Sequence, residues 1–267
     1  MKNILLVLAF TGFTALLSSC GTDDDNIITI GATAVPHAEI LEMAKPAIEA
    51  LGYTLNIVIV DDFQTPNLFL ADGDFDLNFF QHRPFLNNFN EYHGTDLVPV
   101  FGTHFEPLRL FSAVYTQISD VTYGSVITIP GDPVNEARAL LLLEYIGLIT
   151  LYYSNLEANA TNTIASNPLN LVINPIDAAF LAPTLPDVDF AVVNGNFALQ
   201  GGILDLYIQG AGEDPSSEAA ITFTNYIVVR RGDEEKSHIL AVIDAINRPE
   251  IRQFILDTYL GRVIPQF

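Results

Sequence analysis

Short apolar runs rich in β-branched and aromatic residues alternate with helical patterns along most of this chain. Residues 27–30, 55–60 and 75–80 have the length and composition of buried strands. The stretches 37–51 and 83–92, which follow the first and third of these runs, have the spacing and end signals of helices. Because strands that alternate with helices favour a parallel sheet with helices on both faces, we predict an α/β, doubly wound fold.

A second series of the same kind begins with the strand predicted at residues 126–129. This strand leads into a helix over residues 133–145, for which Pro133 suits the first position and Gly147 the end. The other elements predicted in this half are strands at residues 171–174 and 190–193 and helices at residues 237–246 and 249–259.

Two long β-rich runs, residues 106–115 and 220–230, join the two series and indicate two crossings between two lobes. We expect residues 27–112 and 222–267 to form lobe 1 and residues 113–221 to form lobe 2. In a bilobed α/β protein a ligand binds in the cleft, at the carboxyl ends of strands.

The N-terminus has the features of a secretory leader. Lys2 precedes an apolar run over residues 4–17, which is too short to span a bilayer comfortably. The sequence Leu-Ser-Ser-Cys that ends at Cys20, the only cysteine of the chain, resembles the lipobox of bacterial lipoproteins. We therefore predict that residues 1–19 are a signal peptide, that Cys20 is lipidated, and that residues 20–26 form a polar tether.

Lipidation would fix the location of the mature protein. Each methylene of an acyl chain such as palmitate adds to the membrane affinity when it is buried in the bilayer. More than one chain therefore anchors a soluble domain firmly. The predicted location is therefore the cell membrane, with the protein lipid-anchored and facing the extracytoplasmic side, in the periplasm or at the cell exterior.

The charge and the motifs exclude several classes of function. The formal net charge is −21, with only 11 Lys and Arg against 32 Asp and Glu, so the chain lacks the basic patches that nucleic-acid binding requires. No nucleophile elbow, phosphate-binding loop, dinucleotide fingerprint or close His/Glu metal spacing is present in the sequence. The five histidines form no metal pattern. We expect no enzyme activity, no cofactor and no metal site.

The stretch IPGDPVNEARALLLLE, residues 129–144, is the first candidate for ligand binding. Asp132 can cap the predicted helix, and Asn135 and Arg138 are three residues apart on one face near its positive end. An arginine and an asparagine at this position suit a carboxylate. Pairing of Arg138 with Glu136 or another acidic neighbour explains the same pattern equally well.

Two further stretches place polar and aromatic residues directly after predicted strands. In GDFDLNFFQHRPFL (73–86), strand alternation puts one of Phe79 and Phe80 in the cleft and the other in the core, and His82 could donate a hydrogen bond. His82 could equally cap a helix. In VVNGNFAL (192–199), Asn194 and Asn196 could bind an ammonium and a carboxylate, or could serve ordinary turn chemistry.

Five stretches together resemble the methionine-binding lipoproteins of bacterial ABC importers: GATAVPHAEIL (31–41), GDFDLNFFQHRPFL (73–86), PGDPVNEARALLLLE (130–144), VVNGNFAL (192–199) and TNYIVVRRGD (224–233). The likeness extends to the closing VIPQF. It implies a two-lobed periplasmic-binding-protein-like fold (type 2) with the ligand in the inter-lobe cleft, a lipid anchor and no catalysis. It also implies capture of L-methionine outside the membrane and delivery to an ABC permease and its ATPase.

The resemblance further implies a set of seven ligand-binding residues. Arg138 matches the arginine that grips the ligand carboxylate, Asn135 is its helical neighbour, and Asn194 matches the asparagine of the head-group site. Phe63 stands where the family more often has tyrosine. The remaining members of the set are Asn225 on the crossing strand and Phe63, Phe80 and His82 around the ligand side chain.

Alternative functions stay open at this level. The same fold could bind another amino acid or a short peptide, and a peptide would need a longer cleft with a second polar anchor away from Arg138. A surface interaction protein, in which the cleft is secondary, is an alternative from another class.

The lipobox gives a direct test. We expect the wild-type protein to partition into detergent, and Cys20→Ser to remain in the aqueous phase because it cannot be acylated. Phase partitioning of the two proteins, with sequencing of the mature N-terminus, makes the comparison. Equal partitioning, or a mature N-terminus elsewhere than residue 20, would contradict the lipoprotein prediction.

Overall fold

The computed structural model describes residues 26–153 and 163–267. The predicted signal peptide, Cys20 and all but the last residue of the predicted tether lie outside the described residues. The strands are β1 (Ile27–Ala32), β2 (Thr54–Ile59), β3 (Leu77–His82), β4 (Leu97–Phe105), β5 (Arg109–Phe111), β6 (Val126–Pro130), β7 (Thr150–Leu151), β8 (Ile164–Ser166), β9 (Val172–Ile176), β10 (Phe190–Val193), β11 (Tyr207–Gly212), β12 (Thr224–Arg230) and β13 (Ile264–Pro265).

The helices that the sequence predicted at residues 133–145, 237–246 and 249–259 are found with those bounds. Across the described ranges, none of the helices combines the length and apolar character needed to cross a bilayer. The helices are α1 (Glu39–Glu49), α2 (Thr65–Asp72), α3 (Arg83–His93), α4 (Pro133–Tyr145), α5 (Gly195–Gln200), α6 (Glu218–Thr222), α7 (Ser237–Ile246) and α8 (Pro249–Tyr259).

The first sheet has six strands in the order β13-β4-β12-β3-β1-β2. β1 is parallel to β2 and β3, as the alternating pattern predicted. β12 is antiparallel to β3 and β4, so the sheet is mixed and not wholly parallel. The cause is the path of the chain, because β12 returns from the second sheet and enters the first one in the opposite direction.

The second sheet has five strands in the order β11-β5-β10-β6-β9. β6 is parallel to β10 and β9, whereas β5 is antiparallel to β10 and β11. Residues 109–111 were predicted to lie in lobe 1, but the pairing of β5 places them in the second sheet. The chain therefore passes between the sheets at residues 106–108 and returns through residues 213–223.

Two predicted β runs are interrupted in the structure. The run 106–115 contains only the short strand β5, and the run 220–230 begins with the end of α6 before β12 starts at Thr224. Ser217 caps α6, since its side chain accepts a hydrogen bond from the backbone N–H of Ala219. A capped N-terminus favours a helical turn, so the first residues of the predicted β run lie in α6 and not in a strand.

Each sheet has its own apolar core. Ile28, Ile30 and Phe79 of the first sheet pack against α1, α7 and α8 and are fully buried. Ile127 and Phe190 of the second sheet pack with the buried face of α4, chiefly Leu140 and Leu143. The residues between the two cores are therefore those that can face a cleft.

A close contact in the first sheet explains a glycine within a strand. A Cβ atom at Gly31 of β1 would lie only 2.3 Å from a ring carbon of Phe75. Phe75 is buried with Leu70, Leu86 and Phe89 beneath this strand. The ring thus occupies the space that a side chain at position 31 would need.

We expect Gly31→Ala to lower the free energy of unfolding by about 1–3 kcal/mol, because the added methyl overpacks the ring of Phe75. Urea unfolding of the variant measures this loss. In a Phe75→Leu background the same substitution should cost less, since the smaller side chain leaves room. An equal loss in both backgrounds would show that the ring is not the cause.

Candidate ligand-binding site

A cavity lies where the carboxyl ends of β3 and β10 meet the start of α4. His82 is the last residue of β3, and Asn194 directly follows β10. The carboxyl ends of strands are the usual ligand site of open α/β sheets. All seven predicted residues line this cavity: Phe63, Phe80, His82, Asn135, Arg138, Asn194 and Asn225. Five more that were outside the predicted set also line it: Gln81, Phe85, Glu106, Gly195 and Asn196.

The first turn of α4 is fixed by the predicted cap. The Asp132 carboxylate accepts the backbone N–H of Asn135 at 2.9 Å and its side-chain Nδ2 at 2.9 and 3.1 Å. Burial raises the pKa of Asp132. Asn135 Oδ1 lies 3.2 Å from His82 Nε2, so this amide links the end of β3 to α4.

Arg138 is buried and already holds an ion pair. Its Nε and Nη2 donate to the two carboxylate oxygens of Glu213 at 2.7 and 2.6 Å, and Nη2 also donates to the Glu106 carbonyl at 2.9 Å. Its guanidinium lies 4.0 Å from the ring centroid of Phe223. Pairing with an acidic residue is therefore correct, and the partner that the structure shows is Glu213. Nη1 has no hydrogen bond to any described residue, which leaves one guanidinium nitrogen for a ligand.

Aromatic rings form one wall of the cavity. The Phe63 ring centroid lies 5.9 Å from that of Phe80, 5.8 Å from that of Phe85 and 5.0 Å from that of Phe197. Phe79 is fully buried in the first core, whereas Phe80 lines the cavity, as strand alternation predicted. Phe85 is the member of this wall that the sequence analysis missed, because it lies in a helix after the strand.

His82 combines the two roles that the sequence left open. Its Nδ1 accepts the backbone N–H of Phe85 at 3.3 Å and caps α3, so its Nε2–H donates to Asn135. Burial, followed by the nearby charge of Arg138, lowers the pKa of His82 to about 3. The ring is thus a neutral donor at neutral pH, with its orientation fixed from both sides.

A buried acid, Glu106, faces the cavity from the first crossing segment. Its Oε1 lies 2.8 Å from His104 Nε2 and 3.5 Å from His37 Nε2. The backbone N–H of Asn196 lies near this carboxyl group and acts to lower its pKa. A Cβ atom at Gly195 would lie 2.8 Å from Glu106 Oε2, so only glycine permits this approach. Burial raises the pKa of Glu106 and lowers those of His37 and His104 to about 3.

His37, His104 and Glu106 form a group that no local sequence pattern predicts, because His37 is far from the other two in the chain. Their donor atoms lie within 4.8 Å of one another, a spacing that a metal ion could also use. Two ligands of a tetrahedral zinc ion are separated by about 3.3 Å, since each lies about 2.0–2.1 Å from the metal. The 2.8 Å between Glu106 Oε1 and His104 Nε2 is shorter and is a normal hydrogen-bond distance. The geometry therefore fits a shared proton better than a metal.

Two amide atoms near this carboxyl group lack partners. Asn194 Oδ1 and Asn196 Nδ2 are two of the three buried side-chain polar atoms without a hydrogen bond in the described part of the chain. An unpaired buried polar group costs about 1–3 kcal/mol, so such groups usually have a partner. One acceptor and one donor are thus available to a ligand that carries both kinds of group.

Comparison with known proteins agrees with this architecture. A sequence model described as NlpA lipoprotein matches residues 28–267 of the chain. The chain belongs to the NlpA lipoprotein family. This family consists of substrate-binding proteins and not of enzymes. The solved structures that resemble this chain have the two-lobed periplasmic-binding-protein-like fold (type 2).

Individual members of the NlpA family align along nearly the whole chain. The membrane lipoprotein TpN32 of Treponema pallidum is 34% identical over 265 residues, which cover 98% of this chain and 97% of that protein. The methionine-binding lipoprotein MetQ of Bacillus subtilis is 30% identical, with 99% of both chains covered. A nutrient-binding protein of Burkholderia cenocepacia, solved bound to methionine, superposes with a TM-score of 0.83 at 32% identity and covers 90% of this chain and 100% of that one.

The ion pair of Arg138 and Glu213 generates a stability prediction. We expect Glu213→Gln to lower the free energy of unfolding by about 3–5 kcal/mol, because it leaves the Arg138 cation buried without a counter-charge. Chemical denaturation measures the loss. Asp96→Asn, which removes the partner of Arg231 in an exposed pair, is the control and should leave the unfolding midpoint unchanged. A Glu213→Gln variant as stable as this control would show that the ion pair does not compensate the buried charge of Arg138.

Proposed function

We propose that this protein binds L-methionine on the extracytoplasmic side of the membrane and delivers it to an ABC permease and its ATPase. The observation that carries the proposal is the composition of the cavity. It combines a guanidinium nitrogen without a partner among the described residues, a buried carboxyl group and a wall of phenylalanine rings. A free amino acid with an apolar side chain has groups that match each of these.

The ligand head group would bind between α4 and α5. Its carboxylate would accept hydrogen bonds from Arg138 Nη1 and Asn196 Nδ2, and charge-assisted bonds of this kind are strong. Its ammonium would donate to Glu106 and to Asn194 Oδ1. These contacts would give partners to both asparagine atoms that lack one. Asn135, Asn225 and His82 would hold the surrounding groups in place.

The ligand side chain would lie against Phe63, Phe80 and Phe85. A thioether is unbranched and polarisable, and each contact between sulfur and an aromatic ring contributes about 0.3–1.5 kcal/mol. Phe63 packs directly on Phe197 of α5, which supports this wall from the other side of the cleft. The wall contains no charged group that could pair with a charged side chain.

Delivery would use the lipid anchor and the two lobes. We propose the lobe division of the sequence analysis with β5 moved to the second lobe, so that the crossings at residues 106–108 and 213–223 form the hinge. Closure about a hinge of two crossing segments is a common response to ligands in bilobed binding proteins. Cys20 and the tether would keep the protein at the membrane surface beside the permease.

A thermal-shift series at equal ligand concentration tests the proposal. L-Methionine and selenomethionine should raise the melting temperature most, because they should bind most tightly. A ligand present at one hundred times its Kd stabilises the folded protein by about 2.7 kcal/mol. Norleucine lacks the sulfur and should shift less, and valine should shift little because its short side chain leaves a void. Glutamate and lysine should give no shift, since a charge would be buried among phenylalanines.

A double variant serves as the matched control, because it removes the charge of Arg138 together with that of its partner and so should keep the fold. Arg138→Gln combined with Glu213→Gln leaves no unpaired buried charge, and we expect it to lose about 2–5 kcal/mol of methionine binding by calorimetry. The largest shift with a charged amino acid, or a shift with a peptide alone, would contradict methionine as the ligand. Binding of a macromolecule regardless of cleft occupancy would instead indicate a surface interaction protein.

A further inference from the structure

The hydroxyl of Thr103 fixes the position of a proton on His104. Thr103 Oγ1 lies 3.0 Å from the backbone carbonyl oxygen of Asn225 and 3.0 Å from His104 Nδ1. A hydroxyl carries one hydrogen, and a carbonyl oxygen can only accept. Both contacts are hydrogen bonds only if Thr103 donates to Asn225 and accepts from the Nδ1–H of His104.

This assignment leaves a proton to be shared between His104 and Glu106. A neutral His104 with its hydrogen on Nδ1 has a lone pair on Nε2. That lone pair faces Glu106 Oε1 at 2.8 Å, and two acceptors at this distance need a hydrogen between them. The hydrogen can belong to the carboxyl group or to the imidazole, and the same atom positions serve both states.

The neighbours of Glu106 show which state the empty cavity favours. His37 Nε2 donates to Asn225 Oδ1 at 3.2 Å, so this nitrogen carries a hydrogen and presents no lone pair to Glu106, while Nδ1 is paired with the hydroxyl of Thr33 on the other side of the ring. Burial raises the pKa of Glu106 and lowers that of His104, which puts the proton on Glu106. Other charged or titratable groups near Glu106 include Arg138 with its partner Glu213, Tyr259 with its partner Glu39, and His82, which lines the same cavity.

We propose that His104 is a positioning residue for the ligand ammonium, and that ligand binding moves a proton from Glu106 to His104. The O–H bond of the carboxyl group breaks and an N–H bond forms at His104 Nε2, so no proton is exchanged with solvent. The product is a carboxylate held between an imidazolium and the ammonium. This inference rests on the proposed function, because it requires a ligand with an ammonium group at Glu106.

Charge balance in the closed cavity supports internal transfer over release. Arg138 and Glu213 form one neutral pair, the ligand is a zwitterion, and the imidazolium of His104 balances the carboxylate of Glu106. If the proton left for solvent, the buried site would carry a net charge of about −1. An uncompensated buried charge is costly, so the complex that retains the proton has the lower free energy.

The experiment is methionine titration calorimetry of the mature protein in buffers of different ionisation enthalpy. The wild type should exchange close to zero protons between about pH 6 and 8 and show a Kd that does not change with pH. His104→Gln can hydrogen-bond to either form of Glu106 but cannot accept a proton. It should release about one proton on binding, and its Kd should rise about tenfold for each pH unit lowered.

His37→Gln is the matched control, because His37 is equally buried but lies 3.5 Å from the same carboxyl group. It should exchange no proton. As a second measurement, the ¹⁵N spectrum of the wild-type imidazoles should show His104 change from neutral to imidazolium when methionine binds, with the signal assigned by its loss in His104→Gln. Only the assignment uses a variant, because the change of charge state is read from the wild type itself.

The outcomes separate the two hypotheses. Release of a proton by the wild type, a pH-independent Kd in His104→Gln, or a His104 signal that stays neutral in the methionine complex would each overturn the transfer while leaving methionine binding intact. Failure of the wild type to bind methionine at any pH would overturn the proposed function itself.

Discussion

The site and the connections between the sheets depend on one buried ion pair. Arg138 projects from α4 and binds Glu213, which follows β11 at the start of the second crossing. It also binds the carbonyl of Glu106 in the first crossing, and the carboxylate of Glu213 accepts the backbone N–H of Leu108 at 2.7 Å. A single guanidinium therefore ties both crossings to α4. Because a buried cation without its partner is costly, these three segments cannot separate independently.

The same arrangement limits how Arg138 can hold a ligand. With Nε and Nη2 occupied, only Nη1 can meet a carboxylate, so the bidentate grip expected from the arginine fork is not available without breaking the ion pair. The loss of one contact is offset by the neighbouring Asn196 Nδ2, which has no partner among the described residues. In the proposed function, recognition of the head group would thus be distributed over α4 and α5 and would not rest on one residue.

Local features of the site could be predicted from the sequence, whereas contacts between distant segments could not. The cap at Asp132, the shared face of Asn135 and Arg138, and the alternation of Phe79 and Phe80 follow from helix and strand periodicity. Glu213 lies 75 residues from Arg138, and its pairing depends on the order of strands in the second sheet. β4 was missed because it contains a proline and a glycine, which the structure accommodates at irregular points of its pairing with β12.

The location of Glu106 and the overall charge of the chain bear on how a ligand can be selected. A net charge of −21 repels free anions and attracts free cations at long range, but it exerts little net force on a zwitterion. If the ligand is an amino acid, as proposed, its capture would therefore depend on contacts made inside the cavity, where both of its charges would meet opposite groups within a few ångströms. There the neighbours of each group decide its charge: the buried carboxyl group of Glu106 is surrounded by His37, His104 and the backbone of Asn196. A carboxyl group that stays uncharged until an ammonium arrives would avoid the cost of a buried charge in the empty protein and still present one to the ligand.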